Sequence, residues 1–159
     1  MKITIACVGK LKEKYLQDGV EEYLKRLTPY AKVSIKEISE EKMPAEVSDA
    51  EKNKILQKET ERLLAIIPKD AHVVILDVVG MQITSPGLAV KMESLTLRGV
   101  SHICFVIGGA YGYTDDLRRM ADFAWSFSRL TFTHQMIRML LLEQIYRAFK
   151  ISKGEKYHN

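Results

Sequence analysis

Cysteine and long apolar runs are scarce in this 159-residue sequence, and each scarcity removes a class of protein. Two cysteines, Cys7 and Cys104, cannot form the framework of a disulfide-stapled domain. Both stand inside apolar, strand-like runs, which favours buried reduced thiols over a bridge or a metal site. The four histidines are scattered, so no metal-ligand spacing arises and no metal is expected. No nucleophile elbow and no credible Cys/His or Ser/His pairing is found. No apolar run approaches the roughly 20 residues of a membrane span. Met1-Lys2-Ile3-Thr4-Ile5 reads as a first strand and not as a secretory leader. The expected location is the cytoplasm, with no membrane association.

What is present is ordinary for a globular chain, with 47% hydrophobic and 28% charged residues. That composition excludes disorder and fibre. The length suits one domain, expected to span residues 1–159, with a single core. The net charge of +4 is unevenly placed. Residues 1–128 balance, whereas residues 129–159 hold six basic side chains against Glu143 and Glu155. A polyanion meeting the C-terminal part accounts for this excess. So does a solvated helix end whose cations complement the helix dipole. Charge alone does not choose between them.

Continuously apolar strands at 2–8, 72–79 and 102–107 alternate with helical patterns. They indicate an α/β fold, a mostly parallel sheet covered by helices on both faces. The first helix carries Leu16, Val20, Tyr23, Leu24 and Leu27 on one face and Lys12, Glu13, Glu21, Glu22 and Lys25 on the other. A half-buried edge strand follows across Val33, Ile35 and Ile38. Ser48 with Glu51 forms a capping box for a second helix to about Ile67. Ser85-Pro86 supplies an N-cap and first-turn proline for a third, stopped near Gly99. A short helix after Thr114 and a strand near 123–128 complete the sheet. The last helix, about 134–151, is apolar nearly all round, so it needs burial on more than one side. A subunit interface is the expected second surface, hence a homodimer.

Three segments stand out as carriers of chemistry. Strand 102–107 runs into Gly108-Gly109-Ala110-Tyr111-Gly112, where paired glycines let backbone approach a ligand at the carboxyl edge of a parallel sheet. The spacing is neither a dinucleotide fingerprint nor a phosphate loop, and a plain tight turn explains it equally well. Ser126 through Arg138 clusters hydroxyls between Phe127, Leu130 and Phe132. The cluster suits either a polar ligand with an aromatic ring or an N-capping loop built on Thr131 or Thr133. The tail, Gly154 through Asn159, places Tyr157 and His158 just after a buried helix, as a segment folding over a site would.

Together these segments resemble the ribosomal RNA large-subunit methyltransferase H family, of the SPOUT class. The resemblance spans nearly the whole chain, from Gly9-Lys10-Leu11-Lys12 to Tyr157-His158. It includes Phe-Val-Ile-Gly-Gly-Ala, Ser-Phe-Ser-x-x-Thr-Phe, His134-Gln135-Met136, Glu143 through Ala148, and Gly154-Glu155-x-Tyr157-His158. It implies a C-terminal trefoil knot and a homodimer that methylates N3 of a pseudouridine in 23S rRNA on assembled ribosomes, using S-adenosyl-L-methionine. Cofactor contacts carry over to Leu76, Gly108, Phe127, Ser128, Arg129, Leu130, Thr131 and Phe132. The expected catalytic group is His158 as base, Tyr157 as stacking or hydrogen-bonding partner, and Arg138, with Arg147, holding phosphate or the anionic base. Three positions depart from the family pattern: Thr133 replaces a common proline, and Lys156 and Asn159 alter the tail. A non-catalytic RNA-binding module and an unrelated nucleotide-binding enzyme are the competing readings. The intact glycine and 127–132 segments oppose the first. The missing phosphate loop and dinucleotide spacing oppose the second.

Overall fold

The apolar runs and amphipathic segments alternate in space as they do in the chain. The order is β1 (Lys2–Val8), α1 (Lys14–Leu27), β2 (Lys32–Ile38), α2 (Asp49–Ile66), β3 (His72–Gln82), α3 (Ser85–Leu97), β4 (His102–Ile107), α4 (Asp115–Met120), β5 (Phe123–Ser126) and α5 (Met136–Ser152). The computed structural model describes residues 1–158, so the expectation about Asn159 lies outside the described residues.

The five strands form one sheet in the order β2-β1-β4-β3-β5, and every pairing is parallel. The two central strands, β1 and β4, are buried almost throughout, as continuous apolar runs require. One face of the sheet packs on α1, α3 and α5 through Ile5, Phe105, Leu88, Leu141 and Ile145. The other packs on α2 and α4 through Val8, Ile75, Val106, Leu63 and Leu117. Steps toward β2 cross on the first face and steps toward β5 on the second, so all four crossovers share one hand. Strand order does not display the trefoil knot, which is a property of the whole path.

Local signals were realised with instructive shifts. The Ser48 hydroxyl accepts from the Glu51 amide at 3.2 Å, which opens α2. α3 is capped one residue earlier than expected. Thr84 accepts from the Gly87 amide at 3.1 Å, which frees the Ser85 hydroxyl to donate to Gln144 of α5 at 2.7 Å. Lys12 and Glu13 precede α1, with Glu13 at its N-cap. Both cysteines are free and buried, and burial pushes each thiol up to about 12, so neither is reactive.

Two segments behave differently from their sequence pattern. β3 is buried only in its first half, and Val79 is 82% exposed. Leu76 and Met81 both pair with Trp125, so residues 77–80 bulge out of the ladder and carry Val78 and Val79 off the sheet. α5, apolar nearly all round, finds its second surface within the chain. It lies on the sheet, with α1 closing against it at Gly19 and Met139 and α3 packing beside it. The all-round pattern therefore does not by itself require a second subunit.

Candidate functional site

The carboxyl ends of β3, β4 and β5 surround a cavity of about 880 Å³. In a parallel sheet this edge gathers the loops that follow each strand. The first residues of α1 and the approach to α5 form its outer wall. Leu76 enters from β3, Gly108 and Gly109 from the turn after β4, and Phe127 through Gln135, apart from Arg129, from the loop between β5 and α5.

The glycine turn is held by a residue that sequence reasoning missed. The buried Tyr113 hydroxyl accepts from the Gly108 amide at 2.9 Å and donates to the Val106 carbonyl at 2.6 Å. A Cβ at Gly108 would lie 2.9 Å from the Tyr113 ring, so glycine is required for this closure. Burial raises the Tyr113 phenol well above its ordinary value, so it stays a donor. Its only sequence signal was an aromatic directly after a glycine, which is common in turns.

Beyond the turn, the Trp125 and Phe127 rings lie 4.4 Å apart between centroids and supply an aromatic wall. The 127–135 loop is pinned by its own hydroxyls. Ser126 Oγ donates to the Ser128 carbonyl at 3.0 Å, and Ser128 Oγ accepts from the Leu130 amide at 3.0 Å. Thr133 Oγ1 accepts from the Met136 amide at 3.2 Å, so the residue that replaces proline does cap α5.

The electrostatics are selective. Among the described residues lining the cavity are two carboxylates, Glu13 and Asp77, and neither lysine nor arginine. Arg118 meets Asp77 at 2.7 Å from outside. A phosphate would find no cation on this wall, whereas an uncharged or cationic ligand meets no opposition. Two buried polar atoms of lining residues, Trp125 Nε1 and His134 Nε2, have no hydrogen-bond partner among the described residues. Each such atom costs roughly 1–3 kcal/mol unless a ligand or water satisfies it. An aromatic wall, open backbone turns and unpartnered polar atoms fit a ligand that combines a flat ring with polar edges.

Of the eight residues expected at the cofactor, seven line the cavity together: Leu76, Gly108, Phe127, Ser128, Leu130, Thr131 and Phe132. Arg129 is exposed and not among the lining residues. The expected catalytic group is dispersed. Arg138 is 1% exposed and pairs with Glu37 at 2.6 Å. It also donates to the carbonyls of Val8 at 3.0 Å and Gly9 at 2.6 Å, so both terminal nitrogens of its guanidinium are engaged inside the chain, while its buried Nε has no partner among the described residues. Tyr157 donates to Glu143 at 3.2 Å and lies 3.4 Å from the Tyr23 hydroxyl. Arg147 pairs with Glu143 and reaches His158 Nδ1 at 3.3 Å. Burial, then the Tyr23 contact, raises the Tyr157 phenol well above its ordinary value. Neither tail residue lines the cavity. Ile137 does, and Arg147 stands ten residues further along α5, which is about 15 Å of helix.

Glu59 lies behind the glycine turn, its Oε1 3.3 Å from where a Gly109 Cβ would be. Burial raises its carboxyl above the ordinary 4.5, although the Glu41 amide donates to it at 3.2 Å. The protonated form is therefore favoured by the fold. That contribution is complete below 4.5 and is lost as pH rises through the raised native value. Glu59→Gln is expected to raise Tm at pH 7, with the advantage vanishing near pH 4. Thermal melts of both proteins across pH measure it, and parallel curves would contradict it.

Comparison with known proteins gives concordant results. A family model described as a predicted SPOUT methyltransferase matches residues 1–158. The chain is 51% identical over 158 residues to the ribosomal RNA large subunit methyltransferase H of Halothermothrix orenii, with 99% of each chain covered. It is 49% identical to the putative ribosomal RNA large subunit methyltransferase H of Methanococcus maripaludis, and 46% identical to the ribosomal RNA large subunit methyltransferase H of Desulfitobacterium hafniense, each at the same coverage. Among solved structures, a probable methylase family protein from Haemophilus influenzae Rd KW20 superposes with a TM-score of 0.51 at 13% identity, covering 99% of this chain and 70% of that one. At that identity the likeness concerns the fold alone.

Proposed function

This chain belongs to the SPOUT methyltransferase family, and from that premise we propose that it methylates N3 of a pseudouridine in 23S rRNA on assembled ribosomes, with S-adenosylmethionine as donor. The observation that carries the reading is the cavity itself. Seven residues that the family resemblance assigns to the donor line one space with an aromatic wall and no lysine or arginine. The competing nucleotide-binding reading needs a phosphate site, and the wall offers none.

When bound, S-adenosylmethionine supplies a methyl group on a cationic sulfur that leaves as a neutral thioether. Leu76, Phe127, Leu130 and Phe132 would enclose its apolar surface, and the turns at Gly108 and Ser128–Thr131 would meet its polar edges. Holding donor and acceptor in line is then the main catalytic task. The acceptor nitrogen must also lose its imide proton as the new bond forms, so a base or a stabilising cation is needed. His158 fills that role in this proposal, with Tyr157 beside it. Within one chain the tail packs at the far end of α5, so the His158 that serves a cavity comes from a second copy. That requirement fits the homodimer; the cytoplasmic location and the assembled ribosome belong to the proposal through family membership. The trefoil knot belongs to the same proposal through family membership.

Transfer of labelled methyl from S-adenosylmethionine to ribosomes lacking the modification, with the labelled nucleotide mapped, tests the reading. Label on one uridine-derived base of large-subunit RNA is expected, with less on protein-free rRNA. A folded, dimeric protein that transfers none would overturn the substrate. A His158→Ala variant with the wild-type rate across pH would remove the base assignment.

A further inference from the structure

The cavity has an outer wall that the donor contacts do not use. Tyr15, the second residue of α1, lines it while remaining 62% exposed, and no hydrogen bond holds its hydroxyl among the described residues. Phe132, assigned above to the donor, lines the same cavity from the 127–135 loop. At about 880 Å³ the cavity is near the top of the range, roughly 300–1,000 Å³, that one small ligand fills. Tyr15 stands on this cavity outside the residues assigned to the donor.

Beside Tyr15 lies the loop Gly9-Lys10-Leu11-Lys12-Glu13, followed by Lys14. Its backbone is tied at several points. Arg138 donates to the Gly9 carbonyl, the Leu11 amide donates to Glu37 at 3.1 Å, and the Lys12 amide donates to Gln135 at 3.1 Å. Gln17 donates to the Leu11 carbonyl at 2.8 Å. The side chains of Lys10, Lys12 and Lys14 are nonetheless exposed, and only Lys14 has a carboxylate partner, Asp18, at 3.1 Å. A backbone tied at these points thus presents Lys10 and Lys12, and Lys14 beside Asp18, on either side of a stretch that lines the cavity, whose own charged lining residues are Glu13 and Asp77. Phosphates are attracted to these lysines, whereas the cavity lining offers them no lysine or arginine, so an uncharged base is the part suited to pass inward.

Resting on the RNA-methylation reading above, we propose that Tyr15 is the stacking platform for the acceptor base. The RNA strand enters as an unpaired or everted nucleotide whose base lies on Tyr15 and whose phosphates rest on Lys10, Lys12 and Lys14. Stacking on an aromatic ring suits a base taken out of its helix, because any base offers a π-face while the cavity floor selects the edge presented.

The test measures kcat and KM for unmethylated ribosomes at saturating donor, the donor Kd by calorimetry, and the Kd of a short single-stranded oligoribonucleotide by fluorescence anisotropy. Tyr15→Ala is expected to raise the ribosome KM and the oligonucleotide Kd about tenfold while leaving the donor Kd unchanged. Tyr15→Phe and Tyr15→Trp restore both, since the ring and not the hydroxyl matters. Lys10→Gln, Lys12→Gln and Lys14→Gln together lower the salt dependence of oligonucleotide binding by about three charges' worth. Wild-type KM and Kd in Tyr15→Ala, or equal losses in Tyr15→Ala and Tyr15→Phe, overturn the platform. Absent methyl transfer by the wild type overturns the enzymatic reading instead. The anisotropy series still decides Tyr15 in that case, for or against.

Discussion

Gly80→Ala is expected to lower stability by about 2–3 kcal/mol, near the upper range for overpacking, and to abolish measurable donor binding. A Cβ at this position would lie 2.7 Å from both the carbonyl carbon and oxygen of Ala124 and 2.9 Å from the carbonyl carbon of Trp125. These are backbone atoms of β5, so no side-chain rotation relieves the clash. Relief requires β3 and β5 to separate, and β5 is a four-residue edge strand whose only ladder partner is β3. The same separation moves Leu76 away from Trp125, the pair that forms the cavity floor. Stability and ligand affinity therefore fall together. Urea midpoints and calorimetric titration with S-adenosylmethionine check the two halves, and an unchanged midpoint would show that the bulge accommodates a methyl group.

Arg138→Leu is expected to cost about 3 kcal/mol, at the low end of what breaking a buried ion pair costs. Glu37 is 34% exposed on its side chain and can rehydrate once unpaired. The Val8 and Gly9 carbonyls lose their charged donor without that recourse. Arg138→Lys recovers only part of the loss, because an ammonium cannot serve three acceptors in the fork geometry of a guanidinium. A double-mutant cycle with Glu37→Gln by denaturant unfolding isolates the pair, and a coupling near zero would refute it. The loop at Gly9 loosens in the same variant, so the ribosome KM rises while the donor Kd shifts little. An arginine acting directly on RNA would instead leave stability intact.

Arg138 also illustrates where sequence reading stops. An arginine in a basic C-terminal region, near a cluster of hydroxyls, is indistinguishable in one dimension from a phosphate ligand. Its acceptors, Glu37 and the two carbonyls at the end of β1, stand about 100 to 130 residues away in the chain. Thr84 against Ser85 is a smaller case of the same kind. Both residues can cap, and α3 takes Thr84 because Gln144 on a distant helix gives the Ser85 hydroxyl another partner. The apolar period of α5 was legible. What covers it was not, because α1, α3 and a second subunit would leave the same trace in the sequence.

The sequence by itself determined the alternation of strands and helices, the parallel sheet with two covered faces, the glycine turn after β4, the capping of α2, and the family. Each of these is written in neighbouring residues: apolar period, turn glycines, a hydroxyl three residues ahead of a glutamate, and motifs in fixed order. Only the tertiary structure decided that seven expected donor residues share one cavity, that Arg138 is a buried brace, that Tyr113 holds Gly108, and that the tail lies at the opposite end of α5 from the cavity. These depend on which strand lies beside which and on distances between segments remote in the chain. Local propensity carries no information about either, because such contacts are set by how whole elements pack against one another.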